Sequence, residues 1–289
     1  MLVGHTGAIN YLDNDDHQLI SCGNDCAMLW DMNTLQVTKR IDRVMNQAKL
    51  NGSNLYFASD NELFLCDVRT DAIQSIYTAT EDVNEFDVHY NSKFVGFVDD
   101  DGKVTVLDNR TYKPFKNFKN GHSNIASCFK FRPTSPWQCI TGGFDCFIKS
   151  WDFSRAALQS EYSAISIASD TFNPPFIYSI AFDRTGNKLA AGLGDGKLCI
   201  FTEFGRGKPK LPGNLEILEK HSWSISGLAF DNDILYSIGI DKKLIKWDRE
   251  PIITALDFKL NCITISSAKI FVAGTADSKS QFNIHIIDK

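Results

Sequence analysis

The sequence predicts an all-β protein built from seven similar four-stranded units, and three observations support this prediction. Short apolar runs that end in an aromatic or apolar residue followed by a polar one recur every 36 to 50 residues. Turn residues separate the runs within each unit, as in the strands of an antiparallel sheet. No stretch of about a dozen residues has the 3.6-residue periodicity of an amphipathic helix. Repeats of ~40–45 residues that each hold four strands are typical of a β-propeller.

Seven strand ends define the repeat along the chain. They are Trp30-Asp31, Cys66-Asp67, Leu107-Asp108, Trp151-Asp152, Phe201-Thr202, Trp247-Asp248 and Ile287-Asp288. Several strands, such as KLCIF and SIAF, are apolar on both faces, so each sheet needs cover on two sides. We therefore expect one domain spanning 1–289, with blades at about 4–43, 44–80, 81–119, 120–163, 175–219, 220–257, and 258–289 plus 1–3.

The ring needs a closing strand. The run NIHIID supplies the third strand of the seventh unit, and Lys289 follows it directly. We therefore predict a seven-bladed β-propeller of four-stranded antiparallel blades in which Met1–Val3 pairs with the last blade. This pairing covers a sheet edge that would otherwise favour aggregation.

Composition and charge are those of an ordinary globular protein, with 289 residues, 43% hydrophobic residues and a net charge of -5. The mild acidity predicts no direct contact with nucleic acid or an anionic membrane. The start MLVGHTGAIN lacks the features of a signal peptide, and no run reaches the ~20 apolar residues of a membrane span. We expect an intracellular protein, in the cytoplasm, the nucleus or both.

Motifs for catalysis, cofactors or metals are not recognisable. The eight cysteines include no CxxC pair, and most lie in apolar runs, so we interpret them as buried free thiols. The glycine-rich segment Gly192–Gly196 precedes a strand, whereas a phosphate-binding loop would precede a helix. The acidic segment Asp99–Asp101 is interpreted as a turn, because an EF-hand pattern is absent. We predict no enzyme activity, cofactor or metal.

The units resemble WD repeats over essentially the whole chain, beginning with Gly-His or Lys-His and ending with Trp-Asp. The resemblance implies a hydrogen-bonded tetrad of His, Ser or Thr, Asp and Trp in three blades. The implied tetrads are His5, Ser21, Asp25 and Trp30; His122, Thr141, Asp145 and Trp151; and His221, Ser237, Asp241 and Trp247. In the first of these, the Asp-to-Trp spacing is one residue short. We therefore expect Asn24 to take part of the role of Asp25.

Within this family, residues 121–156 and 172–201 resemble the WD repeat-containing protein 53 family. Its members are described as candidate substrate receptors of cullin-4 ubiquitin ligases that dock on a propeller adaptor. The docking signature of such receptors is Trp-Asp-x-Arg, often in consecutive blades. The matching positions lack the Trp and read Cys66-Asp67-Val68-Arg69 and Leu107-Asp108-Asn109-Arg110. Each Arg either reaches a partner with forked hydrogen bonds or pairs with its own Asp two positions earlier.

Two kinds of loop line the narrow face of WD propellers: those between second and third strands, and those from a fourth strand to the next blade. The candidate partner-binding residues on these loops are Trp223, Phe144, Asn124, Asn173 and Phe176. Exposed aromatic residues are typical anchors of interfaces. Alternatively, Trp223 packs over a neighbouring blade. The basic segment Gly205–Lys210 either contacts an acidic or phosphate group or is a plain surface loop.

These observations favour a scaffold that is monomeric on its own and binds other proteins. Three functions remain open: a receptor on a cullin-4 ligase, a general scaffold in a chromatin or trafficking complex, and, least favoured, an enzyme on a propeller. Cys66 and Leu107 stand where Trp is usual and bury less apolar surface than Trp would. We therefore predict that blades two and three exchange amide hydrogens faster than blades four and six.

Overall fold

The computed structural model describes residues 1–15, 17–118, 120–168, 172–202, 211–275 and 282–289. The chain forms seven four-stranded antiparallel sheets arranged in a ring, which confirms the predicted seven-bladed β-propeller. A single 3₁₀ turn at Ala164–Ile167 is the only helix within these ranges. No described helix is long and apolar enough to cross a membrane.

The first three blades follow one another along the chain without a crossover. Blade one contains β2 (Ile9–Asn14), β3 (Gln18–Gly23), β4 (Ala27–Asp31) and β5 (Val37–Ile41). Blade two contains β6 (Gln47–Asn51), β7 (Asn54–Ser59), β8 (Glu62–Asp67) and β9 (Ala72–Thr78). Blade three contains β10 (Val83–Val88), β11 (Phe94–Asp99), β12 (Val104–Asp108) and β13 (Lys113–Asn117).

The next three blades repeat the same order. Blade four contains β14 (Ala126–Phe131), β15 (Gln138–Gly143), β16 (Phe147–Asp152) and β17 (Ala157–Ser163). Blade five contains β18 (Ile177–Phe182), β19 (Leu189–Leu193), β20 (Lys197–Thr202) and β21 (Asn214–Glu219). Blade six contains β22 (Ile225–Asp231), β23 (Ile234–Gly239), β24 (Lys243–Trp247) and β25 (Ile252–Ala255).

Blade seven joins the two ends of the described chain. It contains β26 (Lys259–Ile265), β27 (Lys269–Thr275), β28 (Phe282–Asp288) and β1 (Leu2–His5). Leu2 lies opposite Ile284 and His5 opposite Phe282, with a bulge between Val3 and His5. The predicted closure by the N-terminal strand is confirmed, and the strand extends to His5.

Apolar clusters fill the spaces between neighbouring blades. Trp151 of blade four is fully buried against residues of blade three, among them Val98 and Val106. Cys66 and Leu107, which stand at Trp positions, are also fully buried. All eight cysteines are buried and free, in agreement with their interpretation as small core residues. Each blade is therefore stable only with its neighbours, as repeat architectures require.

A bulge near the start of the innermost strand recurs around the ring. The register between first and second strands shifts there in every blade except blade two. A bulge inserts one extra residue and redirects its side chain. The extra residues all line a central channel of about 230 Å³, and they are Asn10, Asn84, Ser127, Tyr178, Ser226 and Asn261.

Candidate interaction surfaces

The tetrad of blade four forms one continuous hydrogen-bond chain. Trp151 donates its Nε1–H to Thr141 Oγ1 at 2.9 Å. The Thr141 hydroxyl donates to His122 Nε2 at 2.7 Å, and His122 Nδ1–H donates to Asp145 Oδ1 at 2.8 Å. In this order of donors every buried polar atom of the chain has a partner. The chain fastens the loop that enters the blade to the turn between its second and third strands.

The tetrads of blades six and one are built in the same way. His221 bridges Ser237 and Asp241 at 2.8 and 2.9 Å. In blade one, His5 bridges Ser21 and Asp25 at 2.7 Å each. The expectation that Asn24 shares the role of Asp25 is wrong, because Asn24 Oδ1 accepts a hydrogen bond from Asn10 instead. Asp25 reaches His5 despite the short spacing, and it also accepts the backbone N–H of Thr6.

The aspartates of the tetrads have lowered pKa values. Burial alone would raise the pKa of the Asp145 carboxyl, but hydrogen bonds from His122 and from the Ser123 N–H more than offset it. The same opposition between burial and hydrogen bonding lowers the pKa of Asp25 and Asp241. Each carboxylate thus remains ionised as the acceptor at the end of its chain, which is a structural role.

One set of possible metal ligands lies at the first tetrad. His5, Asp25 and Cys26 bring ligand atoms within 4.8 Å of one another. His5 Nδ1 already pairs with Asp25, and His5 Nε2 with Ser21. Burial and the neighbouring Asp25 charge raise the pKa of Cys26 to about 11, so the thiol stays protonated and binds metal poorly. The residues present fit a tetrad better than a metal site.

Two sets of turns form the rims of the ring. The narrow rim consists of the turns between second and third strands and of the segments that lead into the next blade. The wide rim consists of the turns between first and second and between third and fourth strands. Asp67, Arg69, Asp108 and Arg110 lie on the wide rim, and the predicted aromatic residues lie on the narrow rim.

The two arginines of the wide rim differ in their contacts. Arg69 makes a forked pair with Asp67, with Nε–Oδ1 at 3.0 Å and Nη2–Oδ2 at 2.8 Å, and its side chain is 71% exposed. Asp108 instead accepts the backbone N–H groups of Arg110 and Thr111. The guanidinium of Arg110 has no hydrogen-bond partner in the described part of the chain, so it is available to another molecule.

On the narrow rim, aromatic side chains of blades four and five meet. Phe144 stacks on Phe176 with ring centroids 4.9 Å apart and an interplanar angle of 17°, and Tyr178 lies 5.2 Å from Phe144. Trp223 is 53% exposed, so about half of its surface is open to solvent. This rim therefore offers large apolar surface to solvent.

The two predicted asparagines of the narrow rim lie in the segments that lead into blades four and five. Asn124 Oδ1 accepts the backbone N–H of Ile125 at 2.8 Å. Asn173 is half-buried and stands four residues before Ile177, as His122 stands four residues before Ala126 in blade four. The basic segment predicted from Gly205 to Lys210 lies outside the described residues.

Sequence reasoning missed an aromatic cluster on the wide rim of blades three and four. Tyr90 and Trp137 lie between the first and second strands of these blades and are 58% and 41% exposed. The signal was present in the sequence, because the aromatics stand in equivalent turns of consecutive repeats. The turns between first and second strands carry no WD-repeat signature residue, so the repeat pattern does not single them out.

Known proteins resemble the chain in sequence and in repeat type. Residues 1–31, 112–152 and 169–202 match the family model described as WD domain, G-beta repeat. The chain is 25% identical to the WD repeat-containing protein 53 homolog of Dictyostelium discoideum, over 98% of this chain and 93% of that protein. It is 24% identical to Protein NEDD1 of Homo sapiens over 76% of this chain and 33% of that protein.

A plant protein gives a shorter match. The WD repeat-containing protein ATCSA-1 of Arabidopsis thaliana is 25% identical over 47% of this chain and 36% of its own length. The matches to NEDD1 and to ATCSA-1 thus cover about a third of each relative, whereas the Dictyostelium protein matches nearly end to end.

Proposed function

We propose that this WD-repeat β-propeller is a non-catalytic scaffold that acts inside the cell as a substrate receptor of a cullin-4 ubiquitin ligase. The main support is the arrangement of its exposed groups. The histidines of the tetrads are buried in structural hydrogen bonds, whereas an unpaired Arg and exposed aromatic residues stand on the rims. Such residues are typical of interface anchors and not of an active site.

The adaptor would dock at the wide rim of blades two and three. Arg110 is free to make forked hydrogen bonds to a carboxylate or to backbone carbonyls of the adaptor. Arg69 would first release Asp67, which costs little because water and salt screen an exposed ion pair. Asp67 and Asp108 would position the turns, since both accept backbone N–H groups there.

The substrate would bind at the narrow rim, on the opposite side of the ring. Phe144, Phe176 and Trp223 are separated from the adaptor side by the length of a strand, so both partners could bind at once. Beside these aromatics, Asn124 accepts the Ile125 backbone N–H, and Asn173 lies half-buried in the segment before β18. The propeller would thereby present a substrate to the ligase without taking part in chemistry.

Affinity capture from the native cells tests the adaptor side. The tagged wild-type protein should recover cullin-4 and its adaptor, and the Arg110→Ala variant should recover at least ~10-fold less. The Arg69→Ala, Arg110→Ala double variant should recover none. Arg249→Ala is the matched control, because Arg249 is exposed in the same turn of blade six. Equal recovery with wild type and the double variant would exclude this docking site.

A second variant tests the substrate side. Trp223→Ala should lose a bound substrate while keeping the adaptor, because Trp223 is largely solvent-exposed. Its free energy of unfolding should change by no more than ~0.5 kcal/mol, as for other surface substitutions. A loss of several degrees in melting temperature would place Trp223 in the packing instead.

The second candidate is a general scaffold in a chromatin or trafficking complex, which the exposed narrow rim favours equally. Stable capture of such a complex, with no cullin-4 and no effect of Arg110→Ala, would favour this candidate. In either function the protein is proposed to be monomeric on its own and to bind proteins.

A further inference from the structure

The aromatic cluster on the wide rim is a continuous layer of rings. We define the aromatic patch as Tyr90, Phe94, Phe115, Trp137 and Phe153. Trp137 lies 5.7 Å from Phe94, 6.2 Å from Phe115 and 5.5 Å from Phe153, measured between ring centroids. Tyr90 joins the layer through His89, which is 4.3 Å from Tyr90 and 5.9 Å from Phe94. Phe94 and Phe153 are buried in the core, whereas Tyr90 and Trp137 are exposed to solvent.

The patch is exceptional on its side of the ring. Among the described turns of the wide rim, Tyr90 and Trp137 are the only exposed large aromatic side chains. Exposed aromatics that cluster on a rigid support are the groups that most often dominate binding energy at interfaces. Here the support is rigid because Phe94 and Phe153 are buried and the Phe153 N–H donates to the Trp137 carbonyl at 2.9 Å.

The turns that frame the patch are rich in positive charge. Residues 89–93, 109–112, 132–137 and 153–156 contain Lys93, Arg110, Arg132 and Arg155. Two carboxylates, Asp108 and Asp152, stand at the strand ends beside these turns, and Asp152 Oδ2 lies 3.9 Å from Arg155 Nε. Arg132 is buried and donates to the Gly186 carbonyl and to Gln138. Lys93, Arg110 and Arg155 are exposed. A local cationic frame in a protein of net charge -5 favours an oppositely charged partner at this place.

The opposite rim of the neighbouring blades has the reverse charge. The narrow-rim turns of blades two and three contain five exposed carboxylates, which are Asp60, Glu81, Asp82, Asp100 and Asp101. Lys103, which pairs with Asp101, is the one exposed basic residue in these described turns, so blade three is more acidic on its narrow rim than on its wide rim. Charge complementarity at an interface steers encounter and fixes orientation, so the wide rim selects acidic surfaces and repels basic ones.

We propose that the aromatic patch binds an acidic segment of another protein, and that this segment places an aromatic or aliphatic side chain against Tyr90 and Trp137. Lys93, Arg110 and Arg155 contact the carboxylates that flank this side chain. The inference goes beyond the receptor function and does not rest on it, because it requires only the chemistry of the patch. Arg110 is the one residue that both proposals use.

A synthetic probe tests the proposal in solution. The probe is a fluorescein-labelled peptide of about twelve residues, made of Asp and Glu with one Phe and one Leu near its centre, and its anisotropy is measured against the full-length protein. We expect saturable binding that weakens as salt rises, because the charged contacts are exposed. Tyr90→Ala and Trp137→Ala should each weaken binding ~10-fold or more, and Lys93→Glu with Arg110→Glu should do the same.

Two controls separate the parts of the inference. The same peptide with Ala in place of Phe and Leu should bind at least ~10-fold more weakly, and Trp223→Ala on the opposite rim should bind like wild type. Tyr90 is more exposed than Trp137, so Tyr90→Ala should leave the fold intact and test binding even if Trp137→Ala misfolds. Thermal melts of each variant accompany the titrations.

Three results would overturn the proposal. The first is no saturable binding by the wild-type protein, or equal binding by Tyr90→Ala and wild type. The second is equal binding of the Ala peptide, which would leave charge alone as the cause. The third is self-association of the wild-type protein that Trp137→Ala dissolves, since a second copy would then cover the patch. None of these results decides cullin-4 capture, so the two proposals fail separately.

Discussion

Blade two and blade four solve the same packing problem with different groups. Blade four has a complete tetrad, a fully buried Trp151 and a bulge at the start of its innermost strand. Blade two has Cys66 at the Trp position, no tetrad histidine and no bulge in the pairing of its first two strands. Both nevertheless form complete four-stranded sheets in the ring.

Aromatic stacking and one amide replace the tetrad in blade two. Phe57 and Phe64 stack with centroids 4.9 Å apart, and the Arg43 guanidinium lies 3.9 Å from the Phe64 centroid. Gln47 is buried and donates to the Tyr11 hydroxyl at 3.0 Å and to the Phe86 carbonyl at 2.9 Å. It also accepts the Phe86 N–H at 2.7 Å, so one side chain ties blade two to both neighbours.

The junctions between blades show the same contrast. Around the rest of the ring, a polar side chain of one innermost strand donates to the carbonyl of the first buried residue of the next. The pairs are Asn84 to Ala126, Ser127 to Ile177, Ser179 to Ile225, Ser226 to Leu260 and Asn261 to Ile9. At the two junctions of blade two, Asp13 and Gln47 accept the backbone N–H groups of Leu50 and Phe86. Glu85 and Phe129 share this arrangement at the junction of blades three and four, in addition to the donor there. Blade two thus keeps the ring continuous although it lacks the bulge.

The largest difference between the two blades should follow removal of the residue at the Trp position. Trp151→Ala should lower the free energy of unfolding by about 3–5 kcal/mol, because it leaves a large cavity and removes the indole N–H that donates to the Thr141 hydroxyl. Cys66→Ala should cost only about 1 kcal/mol, because one sulfur atom is lost. Denaturant titration measures both, and equal costs would mean that blade two depends on this position as strongly as blade four.

The junctions should differ next. Gln47→Ala should cost about 2–3 kcal/mol, because it leaves the buried N–H and carbonyl of Phe86 without this partner. Ser226→Ala removes a single donor from the Leu260 carbonyl and should cost about 1 kcal/mol. Chemical denaturation of both variants tests this order. A larger loss of stability for Ser226→Ala than for Gln47→Ala would contradict the claim that the Gln47 side chain stabilises its junction more strongly.

Acid should act on blade four through Asp145. Its pKa in the folded protein is lowered, so the carboxylate stabilises the fold above the unfolded value of about 3.9, and this stability is lost as pH falls through the folded pKa. Asp145→Asn should cost about 1–2 kcal/mol at pH 7 and should flatten the loss of stability below about pH 4. Asp60→Asn, an exposed aspartate in the equivalent turn of blade two, should change stability by no more than ~0.5 kcal/mol. An unchanged acid profile for Asp145→Asn would contradict the assigned role.

The smallest expected effect concerns local opening. Amide hydrogens of β7 and β8 should exchange faster than those of β15 and β16, with an opening free energy lower by about 1 kcal/mol. The reason is the smaller apolar surface at Cys66, which the Phe57–Phe64 stack offsets only in part. Exchange that is equal or slower in blade two, measured by mass spectrometry, would show that the stack compensates fully.

The sequence sufficed for the parts of the fold that carry fixed spacings. The repeat, the blade number and the closing strand follow from strand ends that recur at regular steps. The prediction for Asn24 was wrong because it rested on the Asp-to-Trp spacing alone. The conformation of the turn lets the Asp25 carboxylate reach His5 although this spacing is one residue short. Sequence spacing predicts which turn faces His5, but the conformation of that turn determines which of its side chains forms the hydrogen bond.

The contacts between blades could not be read from the sequence. Gln47 contacts Phe86, which is 39 positions away, because the innermost strands β6 and β10 of neighbouring blades lie side by side. In the sequence, a polar residue at the start of a strand does not reveal whether it lies in a bulge. Ser127 lies in one, whereas Gln47 does not. The extra residues of the bulges are Asn, Ser or Tyr, but Asn46 and Gln47 of blade two are also polar and mark no bulge, so residue type alone does not predict one.

His5 couples the closing strand to the first blade, and this has a consequence for biosynthesis. The strand that ends at His5 pairs with β28, and Met1 and Asn283 lie 282 positions apart. At ribosomal rates of ~5–20 residues per second, β1 waits roughly 15 to 60 seconds for its partner. During that interval the nascent chain presents an unfinished edge beside apolar residues such as Ile9. The nascent chain is therefore open to aggregation at this edge until β28 pairs with β1.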